Sequence, residues 1–381
     1  MNKKFLLAVV SMFLLFGILA GCAKPVPTTA PTQAPAATEA PTAEPTVEPT
    51  PTPIVITDAL GRTVTFDKLP QRVVIAGKAG ALIADAAFLF PEAIERVVAY
   101  VKGSQTKNDF ISTIFPISPD VTALETSSSA EQIAPLAPDV VLMKSYLQKS
   151  LGDPIEQLGI KVVYLDLESI DAIVKDIRNL GLLFGNAAKA EEIISYIDAS
   201  VKKVTDVTGS MTDDQKPSVL MLQYSDKGGE ISFKVPPMDW LQTNMVMLAG
   251  GIPVWKDVPT DGWTVITLEQ IAAWNPQVIF IIDYKGNAVD IVKNLKTDAK
   301  WSLLGAVKNE KIFAFPLDFQ SWDQPDTRWP LALTWVAMKV HPDQFGAIDF
   351  NQEIVNFYKN FYGLDDTTIT GKILPLVKGD Y

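Results

Sequence analysis

The sequence predicts an α/β fold of two lobes, each built on a parallel-type sheet, joined by a single long α-helix. Three observations predict this arrangement: apolar strand-like runs alternate with helical patterns, one fourteen-residue segment is nearly repeated, and one long amphipathic segment separates the two sets of strands. Continuous apolar strands that alternate with helices are typical of parallel sheets covered on both faces. Because such folds bind ligands beyond the carboxyl ends of their strands, we expect the cleft at that edge of each sheet.

The strand and helix candidates alternate along the chain from residue 54 onward. Runs of β-branched and apolar residues predict strands at Arg72–Gly77, Arg96–Val101, Asp139–Met143, Lys161–Asp166, Ser218–Tyr224, Gln277–Asp283 and Lys311–Phe315. Helical patterns predict helices at Ala81–Phe90, Ala130–Leu136, Ile170–Phe184, Ala187–Thr208, Asp239–Leu248, Leu268–Trp274 and Trp329–Val340. The segment Ala187–Thr208 is the longest amphipathic stretch without proline or glycine, and it lies between the two strand sets. We therefore expect a first lobe at residues 54–185, a connecting helix at 186–209 and a second lobe at 210–381.

The near-repeat supports a two-lobed plan. The stretch SAEQIAPLAPDVVL at Ser129–Leu142 returns as TLEQIAAWNPQVIF at Thr267–Phe280, with six of fourteen positions identical. Each copy reads as a hydroxyl N-cap, a short helix and a buried strand. Glu131 and Glu269 fall in the first helical turn, where the helix dipole favours negative charge. On local grounds, simple capping is a sufficient role for both glutamates.

The N-terminus predicts export and lipid anchoring. Two lysines precede an apolar run at Phe5–Ala20, which is shorter than the roughly 20 residues of a membrane-spanning helix, so residues 1–21 read as a signal peptide. The stretch Leu-Ala-Gly-Cys resembles a bacterial lipobox, whose cysteine, here Cys22, carries the lipid. Cys22 is the only cysteine, so no disulfide can form within the chain. Residues 22–53 are rich in proline and threonine and predict an extended tether. We expect the protein to be lipid-anchored on the extracytoplasmic face of the cell membrane.

Composition excludes several classes of function. A formal net charge of −11 argues against nucleic-acid partners and against adsorption to anionic lipid. Transition-metal ions prefer imidazole or thiolate ligands, and the single histidine, His341, follows the last major helix. A metal would therefore arrive inside a chelate, and we expect no protein-held metal. The chain has no Gly-x-Ser-x-Gly elbow and no phosphate-cradling glycine loop, which favours a non-catalytic protein without a cofactor.

Candidate ligand-binding residues follow the predicted strands or lie in neighbouring loops. They are cationic or aromatic: Lys78, Lys102, Lys144, Tyr146, Tyr224, Lys234, Trp240, Trp263, Tyr284, Trp322 and Arg328. Cations gathered at strand ends near aromatic rings suit an anionic ligand with some apolar bulk. The alternatives are that the lysines are solvated at the lobe rims, that the tryptophans belong to the core, and that Arg328 pairs locally with Asp323 or Asp326.

The stretch ITDALGRTVTFDKLPQRVV at Ile56–Val74 resembles the opening of the mature domain in iron-complex substrate-binding proteins of ABC importers. Both copies of the repeat, the Leu248–Gly251 sequence LAGG and the Ala187–Thr208 helix also resemble this helical-backbone (class III) family. The resemblance extends from Ile54 to about Phe345. It implies two Rossmann-like lobes joined by one helix, with the ligand cleft between the lobes, and a ligand that is a ferric siderophore, haem, cobalamin or a molybdate-type oxyanion. It also implies that Glu131 and Glu269 dock onto the permease.

The leading hypothesis is therefore a membrane-anchored, monomeric solute-binding protein that delivers a metal complex to an ABC permease and its ATPase. An anionic ferric siderophore is the first candidate, although the sequence lacks the row of arginines that carboxylate-rich siderophores require. Haem, cobalamin and a compact oxyanion stay open as ligands. A surface glycoside hydrolase with paired carboxylates is the alternative from another class, because such an enzyme needs neither histidine nor cysteine.

Overall fold

The structure is a computed structural model that describes residues 53–381. The predicted signal peptide, the predicted lipidation site Cys22 and all but the last residue of the predicted tether lie outside the described residues. Within residues 53–381, no helix is both long enough and apolar enough to cross a membrane.

A small hairpin opens the described chain and explains the Ile56–Val74 motif. Its strands β1 (Ile54–Thr57) and β2 (Thr63–Phe66) pair antiparallel. Between them, the buried Asp58 carboxylate accepts hydrogen bonds from the backbone N–H groups of Leu60 and Arg62, each at 3.0 Å. The Arg62 guanidinium reaches back to Asp58 and also pairs with Glu156 at 2.8 Å. The Asp and Arg of the motif therefore fasten the hairpin to the first lobe.

The first lobe contains a five-stranded, fully parallel sheet in the order β5-β4-β3-β6-β7. Its strands are β3 (Val73–Ile75), β4 (Val97–Val101), β5 (Thr122–Leu124), β6 (Val140–Met143) and β7 (Lys161–Tyr164). Four of the five were predicted. The fifth, β5, is a three-residue edge strand, too short to stand out from its polar surroundings.

The second lobe contains a six-stranded mixed sheet, with the path β11-β9-β8-β12-β13 and β10 beside β8. The strands are β8 (Ser218–Ser225), β9 (Ser232–Val235), β10 (Ile252–Pro253), β11 (Thr264–Ile266), β12 (Val278–Ile282) and β13 (Ile312–Ala314). Strands β8, β10, β12 and β13 are parallel, β9 pairs antiparallel with β8, and β11 pairs antiparallel with β9. The three predicted strands, β8, β12 and β13, are buried parallel strands, and the two-residue parallel strand β10 was not predicted. The antiparallel pair carries polar residues and escaped prediction.

Helices cover both sheets. Their bounds are α1 (Gly80–Ala87), α2 (Ala93–Arg96), α3 (Phe110–Ile114), α4 (Ala130–Ile133), α5 (Asp153–Gln157), α6 (Ile170–Phe184), α7 (Ala187–Thr208), α8 (Leu241–Leu248), α9 (Leu268–Trp274), α10 (Ala288–Thr297), α11 (Gly305–Lys308), α12 (Trp329–Val340), α13 (Pro342–Phe345), α14 (Phe350–Tyr362) and α15 (Asp366–Thr368).

The connecting helix α7 has the predicted bounds. Helix α6 ends at Gly185, whose φ of 71° is left-handed, and the side chain of Asn186 then caps α7 by accepting a hydrogen bond from the Lys189 N–H at 3.0 Å. Gly181 lets the two helices approach closely, because a Cβ there would lie 2.6 Å from Cβ of Ala190. The long helix therefore starts where local capping chemistry places it.

The near-repeat forms a capped helix in each lobe, as expected. In both copies the capping box is closed by a glutamine: Gln132 accepts from the Ser129 N–H and Gln270 from the Thr267 N–H, each at 2.9 Å. In the first copy the α-helix is shorter than predicted, because a 3₁₀ turn containing a proline takes over at Ala134–Leu136.

The C-terminal segment reaches back to the first lobe. Helix α14 packs on α7 through Tyr196 and Phe361, whose ring centroids are 5.0 Å apart. Its last residue, Tyr362, lies 5.0 Å from the ring of Phe110 in α3. Farther along, the Lys372 ammonium donates to the Thr113 carbonyl at 2.9 Å. The two lobes are thus held together by α7 and by this C-terminal segment.

Candidate ligand-binding cleft

The loops at the carboxyl ends of the two sheets meet directly. After β4, Gln105 accepts a hydrogen bond at 2.8 Å from the backbone N–H of Ser321, which follows β13. The side chains of Gln105 and Gln324 are also hydrogen-bonded. A Cβ on Gly103 would lie 2.6 Å from Nε2 of Gln320, so the two loops approach closely at this position. The candidate cleft lies at this junction, where parallel-sheet proteins hold their ligands.

A cavity of about 670 Å³ opens between the lobes at this junction. Most of its lining residues are polar: Ser104, Gln105, Thr106, Lys107 and Asn108 of the first lobe; Tyr284, Lys285, Gly286, Asn287 and Asp318 of the second; and Leu376 and Lys378 of the C-terminal tail. This volume is in the usual range for a small-molecule site. Three lysines and several amide and hydroxyl groups therefore surround one space.

The three lysines of the cavity are held in different ways. Lys378 lies in the C-terminal tail. Its backbone forms an antiparallel bridge with Leu317 through two hydrogen bonds of 3.0 and 2.9 Å. Lys285 pairs with Asp226, and that hydrogen bond raises the pKa of Lys285. Within residues 53–381, Lys107 and Lys378 make no ion pair. Two ammonium groups are thus available to an anion in the cavity.

An aromatic row continues from the cavity along the second lobe. Trp240 and Trp263 have ring centroids 6.0 Å apart, and Trp263 and Tyr284 have centroids 6.4 Å apart, both edge-to-face. The Tyr284 hydroxyl donates to Asp323 at 2.8 Å. Burial, together with the neighbouring Asp323 carboxylate, raises the pKa of Tyr284 well above its ordinary value. The row thus ends at the neutral Tyr284 phenol, which the buried Asp323 carboxylate orients. The three predicted residues Trp240, Trp263 and Tyr284 therefore lie together in the structure.

The first-lobe candidates are arranged differently from expectation. Lys144 is buried, and its ammonium donates to the Glu168 carboxylate at 2.9 Å and to the carbonyl of Asp166. The exposed Tyr146 donates to the carbonyl of Lys78 at 3.1 Å, and burial of its hydroxyl raises its pKa to about 12. This arrangement does not support the ligand-binding role predicted for Lys144, because Glu168 already pairs with its ammonium.

The remaining lysines and Tyr224 lie nearer the rims. Lys78 and Lys102 are exposed, as the solvated-rim alternative describes. Lys234 is half-buried in β9, where it faces Gln223 of β8 in the sheet register. Tyr224 packs edge-to-face on Phe233 with centroids 5.8 Å apart. Whether these side chains touch a ligand stays a prediction.

Two predicted cleft residues belong to the core instead. Trp322 is fully buried and lies 6.0 Å from the ring of Phe350. Arg328 is also fully buried and pairs with Asp326 at 2.9 Å, which confirms the alternative of a local ion pair. The prediction of direct ligand contact is wrong for both, because other side chains enclose them completely.

The two glutamates of the repeat do not close the capping boxes. Glu131 and Glu269 are exposed, and the capping boxes are completed by the glutamines that follow them. A hydrogen bond from the Ser129 hydroxyl at 2.7 Å lowers the pKa of Glu131. A backbone N–H hydrogen bond, with a further one from Thr267, lowers the pKa of Glu269. Each lobe therefore presents one ionised carboxylate at the amino end of a short helix.

Comparison with known proteins defines the class. Residues 106–318, just over half of the chain, match the family described as Periplasmic binding protein, and the chain belongs to this family. The chain is 22% identical over 334 residues to the molybdate-binding protein MolA of Haemophilus influenzae, covering 81% of this chain and 90% of MolA. The solved structure of MolA bound to molybdate superposes with a TM-score of 0.67 at 20% identity, covering 82% of this chain and 98% of that one.

Two other relatives broaden the comparison. The chain is 25% identical to YvrC of Bacillus subtilis, an uncharacterised ABC transporter substrate-binding lipoprotein, over 77% of this chain and 87% of YvrC. It is also 25% identical to a vitamin B12-binding protein of Pectobacterium atrosepticum, over 58% of this chain and 80% of that protein. The chain is an extracytoplasmic solute-binding protein of the ABC-importer type and not an enzyme, as the sequence predicted.

Proposed function

We propose that this protein captures an anionic metal complex in the interlobe cavity and delivers it to an ABC permease and its ATPase, with an anionic ferric siderophore as the first candidate. The observation that carries the proposal is the lysine-lined cavity between the lobes, inside a chain whose net charge is −11. Lys107 and Lys378 supply positive charge without protein counter-ions among the described residues. The aromatic row Trp240–Trp263–Tyr284 supplies an apolar surface beside that charge.

A compact oxyanion is the second candidate ligand. The relationship to MolA favours it, because that relative is named for binding molybdate. The polar amides and hydroxyls of residues 104–108 would serve an oxyanion as hydrogen-bond donors. Haem and cobalamin stay as further alternatives, and the vitamin B12-binding relative favours the latter.

Equilibrium dialysis of the purified full chain against four probes tests the ligand assignment. The probes are a ferric tris-catecholate, molybdate, haem and cyanocobalamin, each at low and at moderate salt. An anionic ligand in a lysine-lined cavity binds more weakly as salt increases. Salt-sensitive binding of the ferric catecholate supports the first candidate, and salt-sensitive binding of molybdate alone replaces it with the second. Binding of neither anion would overturn the anionic-ligand proposal.

The proposed anchor and docking sites complete the transport function. Cys22 would hold the protein on the extracytoplasmic face of the membrane through attached lipid. Glu131 and Glu269 would then contact positive sites on the permease, one from each lobe, so that two separated ion pairs fix the orientation of the docked protein. Their exposure and their ionised state support this role.

A charge-reversal experiment tests the docking proposal. We expect Glu131→Arg/Glu269→Arg to abolish ligand uptake by cells while the purified protein binds ligand with unchanged affinity. The matched control is Glu95→Arg/Asp214→Arg, which reverses one exposed acid per lobe next to the amino ends of β4 and β8, at the opposite edge of the sheets. Normal uptake by the Glu131/Glu269 double variant would contradict docking through these residues.

A further inference from the structure

A buried cluster of charges joins the two lobes. Arg328 directly precedes α12 in the second lobe and is completely buried. Its Nη1 lies 2.6 Å from Oδ2 of Asp85, a residue of α1 in the first lobe. The same guanidinium lies 2.7 Å from Asp318 and 2.9 Å from Asp326, both of the second lobe. One guanidinium thus holds three carboxylates, and one of the three comes from the other lobe.

Aromatic groups from both lobes complete the enclosure. The guanidinium carbon of Arg328 lies 4.5 Å from the ring centroid of Phe110 in α3 of the first lobe. From α14, the Tyr358 hydroxyl lies 3.2 Å from Arg328 Nε, and the Tyr362 hydroxyl donates to the Asp85 carbonyl at 3.2 Å. Planar stacking and forked hydrogen bonding make this a directional contact. A relative shift of the lobes by a few ångströms would break it.

The Arg328–Asp85 pair is buried and joins the two lobes, unlike the exposed ion pairs on the surface of the structure. Both side chains are almost inaccessible to solvent, at 0% and 3% exposure, whereas the Lys202 and Asp206 side chains of the i,i+4 pair on α7 are 71% and 60% exposed. Exposed pairs contribute little, whereas separating Arg328 from Asp85 would remove a buried hydrogen bond to a charged group. The buried pair is therefore able to hold the lobes at one separation.

We propose that Arg328 and Asp85 form an interlobe lock, a positioning pair that sets the separation of the two cleft walls. The inference concerns the ligand-free protein and does not depend on which ligand the cavity takes or on transport. It assigns to Arg328 a role that differs from the ligand contact expected from its position in the sequence.

The charge balance of the cluster makes the lock sensitive to pH. Burial, with the neighbouring Asp326 carboxylate, raises the pKa of Asp85 to about 8, against the lowering effect of Arg328. Burial likewise raises the pKa of Asp326 to about 6. The titratable and charged groups that face Asp85 are Arg328, Asp318 and Asp326 from the second-lobe loop, Asp109 at the start of α3, Tyr100 of β4, and Tyr358 and Tyr362 of α14.

Opening of the lobes would expose Asp85 to water, where its carboxyl would regain an ordinary acidic pKa. When the lobes close at neutral pH, the Asp85 carboxylate therefore takes up a proton. By linkage, low pH favours the locked state and high pH favours separation. The contact between Asp85 and Arg328 persists in the protonated state, because a neutral carboxyl still offers a carbonyl oxygen to the guanidinium.

Electron-electron distance measurements between spin labels test the lock. The labels are placed at Glu95→Cys in the first lobe and Lys308→Cys in the second, both exposed, in a Cys22→Ser background of the full chain without ligand. With wild-type Asp85, we expect the labelled protein to give one narrow distribution of label-to-label distances at pH 6, and a broader distribution with a different mean at pH 9. Asp85→Asn, which mimics the protonated carboxyl, should stay narrow at both pH values.

Removal of the lock should have the opposite effect. Asp85→Ala should give the broad distribution at both pH values, whereas Asp206→Ala, in the exposed pair on α7, should behave like wild type. Identical narrow distributions for wild type at pH 6 and pH 9 would overturn the proposal, as would an Asp85→Asn protein that broadens at pH 9. If Asp85→Ala does not fold, as judged by circular dichroism, the comparison of wild type with Asp85→Asn still decides.

Discussion

The stability of the folded chain should fall as pH rises through neutrality, and Asp85 should be the main cause. Its pKa is about 8 in the folded protein, against about 3.9 for an aspartate in an unfolded chain. Between these values the folded protein binds the extra proton, so the free energy of unfolding decreases with increasing pH, by at most about 1.4 kcal/mol per pH unit for one group. Integrated from pH 5 to pH 7.5, Asp85 should account for a loss of about 3 kcal/mol.

Urea denaturation at half-unit pH intervals measures this loss, and Asp85→Asn is the critical variant. An asparagine cannot titrate, so the difference in unfolding free energy between wild type and Asp85→Asn should change by about 3 kcal/mol over that interval. Titrating groups outside the cluster around Arg328 affect both proteins alike and cancel in the difference. Asp206→Asn, which alters an exposed ion pair, should follow the wild-type curve. Parallel curves for wild type and Asp85→Asn would refute the reasoning, because Asp85 would then not be held protonated.

Two further predictions concern the cleft and the repeat. Lys107→Ala/Lys378→Ala should weaken binding of an anionic ligand about 30-fold, at about 1 kcal/mol for each ammonium, without affecting a neutral ligand; equilibrium dialysis measures both, and unchanged anion affinity would place the ligand elsewhere. Gln132→Ala/Gln270→Ala should lower the free energy of unfolding by about 1–2 kcal/mol through lost capping. Glu131→Gln/Glu269→Gln should lower the free energy of unfolding by less, as measured by urea denaturation, since Gln132 and Gln270 close the capping boxes. A larger loss of unfolding free energy in the Glu131/Glu269 variant than in the Gln132/Gln270 variant would contradict this division of roles.

The parts of the fold that local chemistry determines could be predicted from the sequence. The bounds of Ala187–Thr208 were correct because the segment lacks proline and glycine and because Asn186 supplies a cap. The buried parallel strands were recognisable from continuous apolar runs. Strands β9 and β11, which pair antiparallel with each other, carry no such signal: β9 is placed by pairing with β8, and β11 by pairing with β9.

The candidate site was predictable only in part, because burial by distant residues leaves no local trace. Arg328 and Trp322 lie in a loop rich in proline, aspartate and aromatic residues, which reads as a cleft loop. The partner that makes Arg328 a buried ion pair is Asp85, 243 positions away in the sequence. Lys378 could not be predicted for the same reason, since the bridge with Leu317 brings the C-terminal tail to the cavity. The prediction of the aromatic row Trp240–Trp263–Tyr284 was correct because each of these residues follows a strand or lies in a loop next to one.

The central claim is that the interlobe cavity holds an anionic metal complex through its lysines. Native mass spectrometry with metal analysis of the full chain, purified from cells grown with sufficient metal, tests this claim most directly. We predict one equivalent of an anionic metal complex or metal oxyanion on the wild-type protein, and its loss from Lys107→Glu/Lys378→Glu. Retention of the same ligand by that variant, or a neutral or cationic ligand on the wild-type protein, would contradict the claim.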